Sequence, residues 1–371
     1  MKNIVITGSS GLAGTALLRR FEKAKEGGKN YRVLGIDIQP PRYSNYSSDS
    51  FFQHCDLDIR SSHLQDILRE DRADTLIHLA WVVAPTRPEE KKEEYDIDVN
   101  GTRNALQACE KSGIENIIVA STSKHYAKNI PVPWKETDAL ESTENFNGYT
   151  YGRNKVIVEQ MLQEYAEKHP NTRVVIFRPT HIWGPNVNNH LSRRFSDDSF
   201  LCGIRGYNPL RGFIHEDDLA EFFYQALERE IKGTFNLSAG SIRHLELLDM
   251  TSKELKKPKL CLGEKTSKFL VNLGSKLRLL EYTSSYLYTV MTDILLDTEK
   301  ADAVFGKPKH SAEETFMDFL VSARKRKSQR ASEKNSYKMN SRIKISDFVF
   351  LPLLNARYTL KQFYEGHIRK E

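Results

Sequence analysis

Cysteine is scarce and scattered. The 371 residues hold four, Cys55, Cys109, Cys202 and Cys261. None falls in a C-x-x-C pair or beside clustered histidines, so we expect neither a metal site nor a disulfide framework. That usage fits a reducing compartment. Long apolar runs are missing too; none approaches the ~18 residues a bilayer-spanning helix needs. The first strand-like run starts at residue 3, which predicts no cleaved leader and a cytoplasmic location. The body of the chain also lacks an excess of basic charge. Residues 324–344 carry nine Lys or Arg against Glu333 alone, a net of +8 within a chain total of +6, so the remainder carries −2. A near-neutral body without a recognition motif gives no reason to expect nucleic acid as a partner.

What is present begins at once. The run Asn3-Ile4-Val5-Ile6 flows into Thr7-Gly8-Ser9-Ser10-Gly11-Leu12-Ala13-Gly14 and then into Thr15-Ala16-Leu17-Leu18. The spacing predicts strand, tight turn, helix. Glycines let the backbone come within contact distance of a pyrophosphate, and the new helix offers unpaired N–H groups to that anion. Gly8, Gly11, Leu12 and Gly14 are therefore candidate dinucleotide-binding residues.

Further strands are predicted over 31–37, 51–56, 75–80, 116–120 and 172–177, with helices over 62–69, 95–112 and 151–168. Strands alternating with helices at this spacing predict an α/β fold, a Rossmann-type doubly wound parallel sheet. Beyond residue 178 the pattern loosens. Residues 186–211 read as helix and loop, 217–228 as a helix, 233–237 as a strand returning to the sheet, and 240–320 as mostly helical. The expected organisation is a cofactor-binding domain over 1–180, completed by about 211–238. A smaller substrate-binding region follows over 181–210 and 239–320, then a basic tail over 321–371. From Arg324 the polar, basic composition reads as linker or disordered chain. Phe348 to Leu354 is a short apolar segment. Two readings stay open for residues 324–354: peripheral contact with an anionic membrane, or a linker and a docking helix.

Several residues can carry chemistry. Asp37 ends the second strand, where a carboxylate accepts hydrogen bonds from the adenosine ribose and repels a 2′-phosphate. That favours NAD over NADP, with Arg42 nearby keeping NADP open. Asp58 is a candidate for the adenine amino group, with Ile59 packing on the ring and Asp56 as a rival. Tyr151 and Lys155 stand four apart at the start of a helix, hence on one face. A cation beside a phenol favours the phenolate, which can take a proton from an alcohol or return it to a carbonyl. Ser121-Thr122-Ser123 ends the fifth strand and supplies a hydroxyl to hold the same substrate oxygen.

Together these marks resemble the NAD-dependent epimerase/dehydratase family of extended short-chain dehydrogenases/reductases. Also similar are His78-Leu79-Ala80, Asn100-Gly101-Thr102-Arg103-Asn104, Arg178-Pro179, Arg211-x-Phe213-Ile214-His215 and Asp297-Thr298-x-Lys300-Ala301, spread over residues 1 to about 320. The resemblance implies roles. Counting back four from Tyr126 puts the catalytic hydroxyl at Thr122. Tyr151 is then the acid/base, and Lys155 lowers its pKa and holds the nicotinamide ribose. Ala80 and Asn100 line the cofactor cleft. Thr180 and His181 lie near the nicotinamide, and Arg211 faces substrate phosphates. Lys124-His125 departs from the family pattern beside the catalytic hydroxyl, and either residue can touch substrate. The family's 4,6-dehydratases carry Asp-Glu where Ser123-Lys124 stands here, so dehydration is not expected. The galactose-epimerase pattern of an Asn after the sixth strand is replaced by Pro179-Thr180-His181.

The implied activity is NAD-dependent, epimerase-like hydride transfer at a hydroxyl of a nucleotide sugar. The alternatives are an NAD(P)-dependent alcohol/ketone oxidoreductase on a lipid-like or steroid-like substrate, and a non-catalytic NAD-binding protein. A homodimer is compatible with this class.

Overall fold

A computed structural model describes residues 1–42, 51–83, 90–146, 150–229, 231–276, 287 and 291–336. The centre is a sheet of seven parallel strands, ordered β10-β6-β5-β4-β1-β2-β3. Its members are β1 (Lys2–Thr7), β2 (Tyr31–Asp37), β3 (Phe52–Asp56), β4 (Thr75–His78), β5 (Asn116–Ala120), β6 (Arg173–Pro179) and β10 (Gly233–Leu237). All neighbours run parallel, from Gly233↔Val175 at one edge to Asp37↔Asp56 near the other. The order turns outward in both directions from β1, so β1 and β4 flank the switch point, where doubly wound folds open a crevice beyond the strand ends.

Alternation of side chains sorts the strand residues into two cores. Ile4, Ile6, Val33, Ile77, Ile118, Val175 and Phe177 face one way, packed under α1 (Leu12–Glu26) and α7 (Glu216–Glu228). Val5, Ile36, Leu76, Ile117, Val119, Val174 and Ile176 face the other, under α2 (Leu64–Glu70), α4 (Thr102–Ser112) and α5 (Thr150–Lys168). Strands buried on both faces are apolar throughout, which is why they were legible as unbroken apolar runs.

The chain divides into two compact units. The first, residues 1–189, 209–244 and 292–319, holds the main sheet and a small second one. That second sheet joins β7 (His181–Trp183), β9 (Leu210–His215) and β11 (Ser241–Arg243). The first unit also holds α3 (Lys91–Tyr95) and α10 (Glu299–Phe305). The second unit, residues 190–208, 245–291 and 320–371, contains α6 (His190–Ser196) and α9 (Glu264–Lys276). Its strands β8 (Leu201–Ile204) and β12 (Lys259–Leu262) pair in parallel. α8 (His244–Leu255) lies almost wholly in this unit.

Three expectations need correction. The helix expected over 95–112 is interrupted: α3 ends at Tyr95, a widened π-type turn spans Asp96–Gly101, and α4 follows. Residues 186–211 contain β8 and the start of β9. Residues 240–320 are mostly helical among the described residues, as expected, with the short strands β11 and β12 added. Most plainly, Arg324 does not open a linker. α11 (Ala312–Ser336) runs through it. Ala312, Thr315, Phe316, Phe319, Leu320 and Ala323 are buried at helical spacing, and the basic residues after them suit a helix C-terminal end. Phe348 to Leu354 lies outside the described residues. Among the described residues no helix is long and apolar enough to cross a membrane.

Candidate active site

The glycine turn forms as its composition predicts. Gly8 has φ +73°, in the left-handed region where a side chain is strained. A Cβ on Gly8 would lie 2.5 Å from the Leu79 carbonyl oxygen, and one on Gly14 would lie 2.5 Å from the Gly8 oxygen. Glycine is thus required where loop, strand and helix meet. Gly11 caps α1 without a side-chain hydrogen bond, and the first turn carries no acid. The helix therefore presents bare N–H groups, those of Leu12 and its neighbours, at the sheet's carboxyl edge. Backbone N–H groups at the start of a helix, reached over glycines, form a cradle that suits a dinucleotide pyrophosphate.

Asp37 closes one side of the cradle. Its Oδ2 accepts from the Ser10 N–H at 2.9 Å and its Oδ1 from the Gln39 N–H at 2.9 Å. Asp58 is engaged by Arg60, whose guanidinium reaches it at 2.6 Å and Asp96 at 2.9 Å. Hydrogen bonding from Arg60 holds the Asp58 carboxyl below its ordinary range against the opposing effect of burial. Ile59 is 5 % exposed and packs on Gly101, where a Cβ would lie 2.5 Å from its Cδ1. Asn104 pins this loop through the carbonyls of Ile59 and Ser61, at 2.7 and 2.9 Å.

Ala80 follows β4, partly exposed, where the Gly8 loop crosses. Asn100 turns aside: its Nδ2 donates to Asp96 at 2.8 Å and its oxygen accepts from Arg103. The residue of that turn that goes inward is Asp98. Its oxygens accept from the Val82 N–H at 3.0 Å and from Asn154 at 3.2 Å. Behind it runs a buried chain of hydroxyls and one imidazole. Thr7 bonds His78 Nδ1 at 2.7 Å, His78 Nε2 bonds Thr102 at 3.0 Å, and Thr102 donates to the Asp98 carbonyl. Burial, aided by the Lys155 charge, pushes His78 down to about 3, so its ring is neutral.

Thr122, Tyr151 and Lys155 converge. The Thr122 side chain at the end of β5 is hydrogen-bonded to the Tyr151 phenol. Lys155, one turn on along α5, has its ammonium 5.7 Å from the Tyr151 ring centre. Lys155 is 1 % exposed and its Nζ donates to the Ala120 carbonyl at 2.9 Å. Burial, opposed by Asp98 and Glu159, pulls its pKa well below the ordinary lysine range. Burial likewise drives the Tyr151 phenol above its ordinary range; the Thr122 bond opposes the rise, and the charges of Asp98 and Glu94 add to it. The expected lowering of the phenol by Lys155 is therefore not what this arrangement gives. The ammonium is turned to a carbonyl and to Trp81, whose ring centre lies 3.0 Å away.

Trp81, Asp98 and Glu94 are participants that sequence reasoning missed. Trp81 stacks edge-on against His78 at 4.5 Å, and its buried indole N–H finds no acceptor among the described residues. Glu94, 2 % exposed, accepts from Thr150. The available signal for Trp81 was its place directly after Ala80.

A second buried cluster hangs from the same strand end. Ser121 donates to Glu159 at 2.8 Å, and His125 lies 3.4 Å from the same carboxylate. Glu159 pairs with Arg178, which donates to Tyr126 at 2.8 Å, and Tyr126 donates to Asn236 at 2.6 Å. His125 thus faces inward rather than toward a substrate.

The remaining candidates also meet. Arg211, 4 % exposed, donates to His181 Nε2 at 3.1 Å, while His181 Nδ1 lies 3.1 Å from the Gly212 carbonyl. The carbonyl requires a proton on Nδ1, so Nε2 accepts and His181 is neutral. Thr180 packs on Gly212 beside them.

Fold and site together define a class. Residues 4–238 match the model of the NAD dependent epimerase/dehydratase family, and the chain belongs to that family. Among curated relatives, N-acetyl-alpha-D-glucosaminyl-diphospho-ditrans,octacis-undecaprenol 4-epimerase of Escherichia coli O157:H7 is 29% identical over 242 residues, 62% of this chain and 65% of the relative. The chain thus spans just under two thirds of that relative's length. UDP-glucose 4-epimerase of Erwinia amylovora is 28% identical over 273 residues, 64% of this chain and 78% of the relative. Among solved structures, UDP-glucuronic acid 4-epimerase from Bacillus cereus in complex with NAD superposes with a TM-score of 0.67 at 20% identity, covering 87% of this chain and 99% of that one.

Proposed function

We propose that the chain is an NAD-dependent enzyme that moves a hydride to and from a hydroxyl-bearing carbon of a nucleotide sugar, inverting that centre as a 4-epimerase does. The observation that carries this is the hydrogen bond between Thr122 and the Tyr151 phenol, with Lys155 on the same helix face and the glycine cradle at the end of β1, one strand beyond β4. The two named relatives are 4-epimerases, and the superposed structure holds NAD.

NAD, when bound, supplies a hydride acceptor that can return the hydride. Gly8, Gly11, Leu12 and Gly14 would hold its pyrophosphate, Asp37 its adenosine ribose, and Asp58 with Ile59 its adenine. Ala80 would line the cleft and Lys155 would hold the second ribose; Asn100 would act through Asp96 and Arg103 at the rim. The chain's own residues handle the proton. As the phenolate, Tyr151 takes it from the substrate hydroxyl and becomes the neutral phenol, and Thr122 holds the same oxygen in line. Returning the proton reverses the step. Arg211, held by His181, and Lys124 would face the anionic part of the substrate.

The test is incubation of the purified protein and NAD with UDP-glucose, UDP-N-acetylglucosamine and UDP-glucuronate, followed by proton NMR of the sugar. The reading expects the epimer of at least one sugar with no net NADH. Net NADH with an oxidised sugar would make the protein a dehydrogenase instead. No turnover of any nucleotide sugar would remove the substrate assignment.

A further inference from the structure

The helix α9 has two unlike faces. Ser267, Leu270, Val271 and Gly274 are buried at helical spacing, and Val271 packs with Ile204 and Leu287. That face seats the helix in the second unit. On the opposite side Lys265, Phe269, Leu273 and Lys276 are all exposed. They follow one another at i, i+4, i+8 and i+11, so they form one outer stripe. Phe269 is 65% exposed and Leu273 37%. The other large exposed apolar side chains among the described residues are Met1, Ile38 and Val83, no two of them on one element. Single exposed apolar side chains are ordinary; a phenyl and an isobutyl group side by side on a helix, with lysines at both ends of the stripe, mark a contact surface.

Charge says which contact. The second unit holds 24 Lys or Arg against 11 Asp or Glu, a net of +13, while the first holds 31 against 38, a net of −7. Part of the excess stands on α11, where Arg324, Lys325 and Lys327 are exposed and Arg324 reaches Glu254 at 2.8 Å. A second copy docked through the same stripe would set +13 against +13. An anionic lipid surface answers both features. It attracts the basic unit, and its acyl boundary takes up apolar side chains. The stems of Lys265 and Lys276 can lie along that boundary with their ammonium groups among the lipid phosphates. We propose that the outer stripe of α9, centred on Phe269 and Leu273, is a docking surface for an anionic membrane, to which the positive charge of the second unit draws the protein. The inference is independent of which substrate the enzyme takes.

The test is flotation of the full-length protein with phosphatidylcholine vesicles, prepared with and without about one third phosphatidylglycerol. The protein is expected to bind the mixed vesicles at least about tenfold more tightly than the neutral ones, and high salt should remove most of that difference. Replacing the pair, Phe269→Ser with Leu273→Ser, should weaken binding to mixed vesicles at least about tenfold while melting point and NAD affinity stay as in the wild type. Phe269→Trp keeps an apolar ring and guards against a variant that fails to fold. Its added tryptophan emission should move to the blue with mixed vesicles and not with neutral ones. Equal binding of the wild type to both vesicles, or no binding to either, would overturn the inference. So would a double variant that floats as the wild type does, or a Phe269→Trp protein that binds mixed vesicles without the blue shift. A wild type that is a dimer in solution and a double variant that is a monomer would assign the stripe to a second copy and overturn it as well.

Discussion

Two buried polar clusters hang from the end of β5, and burial treats them in opposite ways. In one, Ser121, Glu159, Arg178, Tyr126 and Asn236 are joined by hydrogen bonds, with His125 Nε2 3.4 Å from the Glu159 carboxylate. Burial raises the Glu159 carboxyl, but His125 and Arg178 outweigh it and hold the pKa below its ordinary range. Burial works against the Arg178 charge, and Glu159 and Tyr126 outweigh that as well. Both ions stay charged in the dark of the protein. In the other, Thr122, Tyr151, Lys155, Asp98 and Trp81, burial prevails: Tyr151 and Asp98 are raised and Lys155 is lowered. Opposite charges that meet at hydrogen-bonding distance keep their ionisation and lock structure. Groups held short of full pairing are pulled toward neutrality, where a small change in surroundings moves a proton. One residue apart in sequence, Ser121 serves the lock and Thr122 the site.

The largest break to this contrast is Glu159→Gln. Removing the acid leaves Arg178 buried without a counter-ion, at about 3–5 kcal/mol, so thermal denaturation should show a melting point lower by roughly 5 °C. A near-neutral result would mean that the cluster is not a lock.

Acid should unsettle the same region by less. His125 is pushed down to about 4, by burial first and then by Arg178 and Lys155, with Glu159 opposing. Its folded pKa lies below the unfolded value of about 6.5, so the unfolded chain binds the extra proton and stability rises with pH across that window. Stability is therefore lost as pH falls from about 6.5 toward 4, by about 2 kcal/mol from His125 at pH 5. His78, pushed down to about 3, adds a similar loss. Denaturant titrations at pH 7 and pH 5 measure the slope, and His125→Gln should remove about half of it.

Trp81→Leu should do least to stability and more to the site. A desolvated cation–π contact contributes up to about 2 kcal/mol to the ammonium. Losing it lowers the Lys155 pKa further, so activity at pH 7 should fall about tenfold and recover in part at lower pH. A pH-independent loss would assign Trp81 to packing alone.

The glycine turn, Asp37, the seven strands and the Tyr151–Lys155 spacing were legible because each depends on neighbours close in sequence, whereas the choice of Thr122 among three hydroxyls came from the family resemblance. A glycine spacing, a strand end and an i, i+4 pair carry their geometry with them. Trp81, Asp98 and Glu94 were not legible, since their role lies in which side chains from the segment after β4, the π-type turn and α3 meet around Lys155 and Tyr151. That turn also explains Asn100: the widened backbone rotates Asp98 inward and leaves Asn100 on Asp96 and Arg103. The helical extent of α11 was hidden for another reason. Its basic run looks like solvated chain, yet Lys and Arg are good helix formers, and the apolar stripe ahead of them sets the helix going.

The central claim is that Tyr151 moves the substrate proton in a site whose cofactor cradle is built independently of it. The direct measurement is kcat of Tyr151→Phe alongside its NAD affinity. The account predicts a fall in kcat of roughly 10²–10⁴-fold with NAD affinity changed by less than about threefold. Near-normal turnover by Tyr151→Phe, in a variant that binds NAD as the wild type does, would contradict it.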